Sequence, residues 1–241
     1  MGKRSCEAAR SAESAFLRMA WVEPIEQSSI TRTAMQPRKT MEGDSMRKIV
    51  TIGREFGAGG GEIGRRVAKE LGIEYYDKDI ILKTAVSGKS LSPEQVRRWD
   101  ERVPKNFGFA QSLFDFYNKP LEEELWQAQR DAIRELANRE SCVIVGRNGD
   151  YILREFDHCL NVFVHAGFEW RVRRMTKMMD QVPADQVAND VRAVDKARKR
   201  YCEYYTKQTY GDARNFDLTV NTEKLGIEKA VEMILAAAAN L

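Results

Sequence analysis

Five glycines fall within the eight residues 57–64, in the run GAGGGEIG, and Arg54 stands just ahead of them. An apolar run, Ile49-Val50-Thr51-Ile52, precedes this segment and a helix-like pattern follows it. Such a turn can wrap an anion, because successive backbone N–H groups point inward and the helix N-terminus lies behind them. The other residues with chemistry to offer are arginines. Arg65 and Arg66 open the helix after the loop, Arg147 follows the apolar run at 142–145, and Arg171, Arg173, Arg174 and Arg198 come later. A planar, permanently charged guanidinium suits phosphoryl oxygens. On a helix, Arg171 and Arg174 share a face at i, i+3 while Arg173 points elsewhere. The chain has two histidines and no C-x-x-C pair, so a zinc site is not expected, and no Ser-His-Asp grouping or pair of carboxylates stands out.

The glycine loop admits three readings. Gly59-x-Gly61-x-x-Gly64 with Asp77 downstream matches the dinucleotide fingerprint, but the strand ends near Ile52-Gly53 and leaves a loop over 54–61, too long for that motif. A P-loop fits that length, although the G-x-x-x-x-G-K-[ST] pattern is not met. A plain turn needs one glycine, and each extra one costs backbone entropy. In the P-loop reading the missing lysine charge must come from elsewhere. Arg54 lies inside the loop and is a candidate, whereas Arg65 and Arg66 also fit a solvated helix face. Glu62 is either a magnesium ligand or an acid favoured by the helix dipole.

These residues need a frame. Strand-like runs occur at 48–52, 73–76, 142–145, 160–164 and 218–220, and helix-like segments at 62–71, 121–138, 169–179, 184–206 and 227–239. Their alternation argues for a parallel sheet with helices on both faces. Residues 1–45 lack this periodicity and read as a disordered leader or a mis-called start, with one domain over 46–241. Residues 78–140 read as a mostly helical insertion. Charged residues are 31%, apolar ones 43% and the net charge only +3, which gives no electrostatic case for nucleic acid. No apolar stretch approaches the roughly 20 residues of a membrane span. The scattered cysteines, Cys142 and Cys159 within apolar runs, are expected to be buried and reduced, in a cytoplasmic setting.

Six segments taken in order, GREFG, LGIEYYDKDII, CVIVGRNGDYIL, VFVHAGFEWRVRRM, DKARKRYCEYYT and FDLTVNTEKLGIEKAVEMI, resemble the cytidylate kinase-like family. The resemblance spans most of the chain after the leader. It implies a three-layer P-loop kinase fold: a five-stranded parallel sheet with helices on both faces, a helical acceptor-binding insertion at 78–140 and an arginine-bearing lid at about 176–200. Against the GAGKGT of bacterial cytidylate kinases, Gly60 stands at the lysine and Glu62 at the threonine. The aspartates that flank the family's Gly-Arg are replaced by Val145 and Asn148.

What the resemblance implies is an ATP- and Mg2+-dependent transfer of a phosphoryl group to CMP or a related small acceptor. Gly57, Ala58, Gly59, Gly60, Gly61 and Glu62 would hold the nucleotide phosphates, with Glu62 also the candidate metal ligand. Arg54, Arg147, Arg171, Arg174 and Arg198 would supply charge. Asp77, Lys83 and Arg147 would meet the acceptor. A surface bridge between Asp195 and Arg198 is the alternative for that pair, and core or lid packing the expectation for Tyr201, Tyr204 and Tyr205. Small nucleotides are the expected partners, without nucleic acid or membrane. Aromatic residues of the insertion (Trp99, Phe107, Phe109, Phe114, Phe116 and Trp126) suit packing or self-association. A nucleotide-binding module without turnover is the second reading, and a dinucleotide-dependent oxidoreductase the third.

Overall fold

The structure, a computed structural model, describes residues 47–78, 80, 81, 84, 123–179 and 182–241. Five strands, β1 (Ile49–Arg54), β2 (Glu74–Tyr76), β3 (Cys142–Val145), β4 (Cys159–His165) and β5 (Leu218–Asn221), form one sheet in the order β2-β3-β1-β4-β5. Every pairing is parallel. The helices among the described residues are α1 (Gly60–Leu71), α2 (Glu123–Arg139), α3 (Gly149–Ile152), α4 (Phe168–Met178), α5 (Ala184–Thr206) and α6 (Thr222–Ala238), with a 3-10 turn at Ala213–Asn215.

The near-continuous apolar strands are explained by burial on both faces. Ile49 of β1 and Cys142 and Ile144 of β3 point into a core shared with α2, α4 and α5. Their neighbours Val50, Ile52, Val143 and Val145 point the other way, into a core shared with α1 and α6. Helix α5 presents Val187, Val191, Val194, Ala197 and Tyr201 to the first core, one residue every three or four, so a single stripe is buried. Trp126 of α2 is buried and stacks on Tyr205 at 4.6 Å between ring centroids. Tyr201 is buried too, and Tyr204 is 62% exposed. Of the two expectations for Trp126, packing or self-association, the structure shows packing in the core.

Two boundaries differ from expectation in ways that matter for the site. Strand β1 runs on through Gly53 and Arg54, which pair with Phe163 and Val164 of β4. The glycine loop is therefore the five residues between β1 and α1, not the eight of 54–61. Helix α6 starts at Thr222, where the Asn221 side chain accepts from the N–H groups of Glu223 and Lys224, and is broken at Gly226 (φ 78°, ψ 166°). That conformation is essentially restricted to glycine. The expected start at 227 marks the part beyond the break.

The leader 1–45, Lys83 and most of 78–140, including Trp99, Phe107, Phe109, Phe114 and Phe116, lie outside the described residues. The end of that segment, α2, is a core helix leading straight into β3. Cys142 and Cys202 are buried, Cys159 is half-buried, and all three are free thiols. Burial pushes the Cys142 and Cys159 thiols up to about 12. No described helix is long and apolar enough to cross a membrane.

Candidate active site

The strand order sets where a ligand can sit. The chain leaves β1 towards β2 and leaves β3 towards β4, so a crevice opens at the C-terminal ends of the adjacent strands β1 and β3. The glycine loop and the turn after β3 border it.

In the loop, Gly57 (φ 82°) and Gly59 (φ 91°) take left-handed conformations, and Gly59 is the N-cap of α1 without a side-chain cap. The first intrahelical bond runs from Ile63 N–H to Gly59 O at 3.0 Å. The N–H groups of Gly60, Gly61 and Glu62 in the first turn have no intrahelical acceptor by the geometry of a helix start, which leaves them for an anion.

The loop is pinned from below by a network that sequence reading assigned to other work. Arg171 of α4, almost fully buried, donates to Phe56 O at 2.9 Å and to Ala166 O at 3.0 Å, and pairs with Asp195 of α5 and with Glu55. Asp195 also accepts from Phe56 N–H at 2.7 Å, and Glu55 accepts from Ala166 N–H at 3.1 Å. The carboxylate of Asp195 thus turns to Arg171 and the loop, where a surface bridge to Arg198 was the alternative. The Arg171 guanidinium is committed to the loop's underside. Arg174, on the same helix face as expected, reaches the loop's mouth, where it pairs with Glu62 at 2.6 Å and donates to Gly57 O at 3.4 Å.

The crevice itself is a cleft of about 480 Å³, open mouth included, with Arg54, Arg147, Asp150, Arg198 and Tyr210 among its lining residues. Arg147 is 3% exposed, and its guanidinium lies over the Tyr201 ring at 5.9 Å. Its backbone is left-handed (φ 60°), as are those of Gly146 (φ 82°) and Asn148 (φ 52°). That region costs Arg147 roughly 1–2 kcal/mol, and Asn148, whose short polar side chain tolerates it, less; such strain concentrates where a side chain must be aimed at a site. Arg198 donates to Arg54 O at 3.0 Å and lies over the Phe56 ring at 5.6 Å. Tyr210 donates to the same carbonyl.

Of the residues singled out in the sequence, the structure brings Arg54, Arg147 and Arg198 into one cleft and puts Arg174 and Glu62 at the loop. Arg65 turns to Tyr75 and Arg66 pairs with Glu228, so both leave the loop. Asp77 accepts from Ile80 N–H at 3.3 Å after β2, outside the residues that line the cleft. Three participants were missed. Asp195 stands out in the sequence only in relation to Arg198 and not to Arg171 or Phe56, Tyr210 sits in a loop that has no periodicity to flag it, and nothing singles out Asp150, three residues beyond Arg147. Desolvation raises the Asp150 carboxyl to about 6, against the pull of its own and Tyr151's N–H groups.

A parallel sheet of this order, with a glycine loop between its central strand and the following helix, is the P-loop kinase fold. The model of the cytidylate kinase-like family matches residues 49–224, and the chain belongs to that family. Among curated proteins it is 22% identical over 189 residues to a cytidylate kinase of Halobacterium salinarum, covering 78% of this chain and 88% of that one. It is 27% identical over 183 residues to a cytidylate kinase of Aeropyrum pernix, covering 76% and 94%. A solved structure of an uncharacterized protein from Eubacterium ventriosum aligns with a TM-score of 0.63 at 23% identity, covering 81% of this chain and 100% of that one, a likeness of fold.

Proposed function

We propose that this chain is an ATP-dependent phosphotransferase that moves the γ-phosphoryl group to a nucleoside monophosphate, with CMP the first acceptor to try. One observation carries the reading: Arg54, Arg147 and Arg198 line a single cleft at the ends of β1 and β3, next to the glycine loop. Phosphoryl transfer needs little covalent chemistry from a protein. Positioning and cations do most of it. In this reading the N–H groups of Gly57, Gly59, Gly60 and Gly61 hold the donor phosphates, while the Ala58 N–H, also expected there, donates to Glu55 O within the loop. Arg147 and Arg198 stabilise charge on the transferring group and the acceptor phosphate. Arg174 swings from Glu62 to the phosphate side when the donor phosphates bind; the stretch at about 176–200 expected as a lid includes Val187, Val191, Val194 and Ala197, which are buried in the core.

Magnesium, bound with ATP, neutralises charge on the phosphate oxygens. Such an ion keeps several waters and takes one or two carboxylates besides the phosphates. Glu62 meets that small demand once Arg174 releases it. Among the described residues no group of three or more His, Cys, Asp or Glu could hold a metal unaided, so the nucleotide phosphates must complete the site.

The test is ATP plus Mg2+ with the full chain against a panel of nucleoside monophosphates, reading ADP formed above the acceptor-free rate. Acceptor-dependent turnover that collapses in Arg147→Ala supports the reading. ATP binding with no acceptor raising ADP sinks it. That second outcome favours a nucleotide-binding module without turnover, a reading supported by the commitment of Arg171 to Asp195 and of Arg174 to Glu62.

A further inference from the structure

Gly60 stands where the loop of a P-loop kinase carries its phosphate-binding lysine, and a neighbouring side chain explains why it is glycine. A Cβ built on Gly60 would lie 2.7 Å from Arg54 Cβ, 2.8 Å from its Cγ and 3.5 Å from its Cδ. Gly60 is an ordinary helical residue with no left-handed torsion, so the demand is for space. The Arg54 stem lies across its Cα. At the far end of the same side chain, a Cβ on Gly146 would overlap Arg54 Nη1 and lie 2.8 Å from Cζ. The stem of Arg54 thus occupies the space a side chain at Gly60 would need, and its guanidinium ends beside Gly146, a residue held to glycine by its own φ of 82°.

The root of that side chain is fixed as well. Arg54 is the last residue of β1, paired with Val164, and its carbonyl accepts from Arg198 and Tyr210. The guanidinium consequently ends between the glycine loop and the Gly146-Arg147 turn, in the cleft. Of the other arginines near the loop, Arg65 and Arg66 face Tyr75 and Glu228, Arg171 lies beneath with Asp195 and Glu55, and Arg174 pairs with Glu62 at the mouth.

We infer that Arg54 supplies the phosphate-binding charge that a lysine at position 60 would supply, and that the two side chains are mutually exclusive. This deepens the phosphotransferase reading and rests on it. A fork of N–H donors anchored on a strand can take two phosphate oxygens at once, where a lysine offers a point charge.

Calorimetric binding of ATP and of inorganic tripolyphosphate to the full chain tests the inference without relying on turnover. Arg54→Met keeps a stem over Gly60 and removes the charge. It is expected to weaken both ligands at least ten-fold at an unchanged melting temperature. The double variant Arg54→Ala/Gly60→Lys, which moves the cation to the lysine position, is expected to recover most of that loss. Gly60→Lys with Arg54 retained is expected to bind worse than either wild type or the double variant, because both stems claim one space. Wild-type binding by Arg54→Met overturns the inference and leaves the phosphotransferase reading standing. So does a folded double variant that binds no better than Arg54→Met. Failure of the wild type to bind ATP overturns both.

Discussion

Arg147 combines burial, an inward-facing guanidinium and a left-handed backbone (φ 60°), so its side chain and its main chain can be tested apart. Arg147→Ala keeps the unfavourable torsion and Arg147→Gly relieves it. The glycine variant is expected to be more stable than the alanine variant by about 1 kcal/mol in urea unfolding. Both are expected to lose acceptor-dependent turnover about 100-fold or more, the scale for removing one preorganised donor to transition-state charge. Turnover retained in Arg147→Gly would show that only the bend of the chain matters. The arginine itself was legible in the sequence, since a cation at the end of an apolar central run faces the crevice of a parallel sheet. Its torsion was not, because Gly146-Arg147-Asn148 signals a turn without saying which residues carry positive φ.

At the scale of elements, the glycine loop is held to α4 and α5 by Arg171, Asp195, Glu55 and Phe56. Helix spacing placed Arg171 and Arg174 on one face and could not tell which would meet ligand and which would be buried. Burial decides: Arg171 lies under the loop, and Arg174 lies at its mouth. Asp195→Ala leaves Arg171 with Glu55 as its remaining carboxylate and removes the acceptor of Phe56 N–H, so it is expected to cost about 2 kcal/mol of stability. Asp195→Asn, which retains an acceptor for Phe56 N–H, should cost less. If the network positions the loop, Asp195→Asn also weakens ATP binding while the acceptor KM stays near wild type. A variant that loses stability with no change in ATP binding would reduce the network to a fold contact. Most elements were readable from periodicity: the expected β3 at 142–145 and α5 at 184–206 match the structure residue for residue. The errors fall where tertiary pairing extends a strand, as at Gly53 and Arg54, and where a cap and a glycine break add a turn, as at Asn221 and Gly226.

For the molecule as a whole, the half-buried Asp150 ties stability to pH. Its carboxyl is raised from 3.8 to about 6 by desolvation. Below the unfolded value the group is protonated in both states. Between the two values the folded chain keeps a proton that the unfolded chain has released, so stability falls as pH rises through that window and the full penalty remains above it. Asp150→Asn is therefore expected to flatten the profile between those values and to stabilise the protein at neutral pH, by at most about 3 kcal/mol for a shift of roughly two pKa units. The lowered carboxyls of Glu140 and Glu228 act in the opposite sense, at lower pH, in both proteins and cancel from the comparison. An unaltered profile in Asp150→Asn would remove Asp150 as the cause.

The arrangement of cleft, loop and arginines comes down to whether a phosphoryl group crosses from ATP to an acceptor. Phosphorus NMR of the full chain with ATP, Mg2+ and CMP observes this directly. The expected result is that the γ-phosphorus signal of ATP declines while ADP and the β-phosphorus of CDP grow together, and that Arg147→Ala leaves the spectrum static. ATP bound by the protein but unchanged in the presence of CMP and every other nucleoside monophosphate would contradict it.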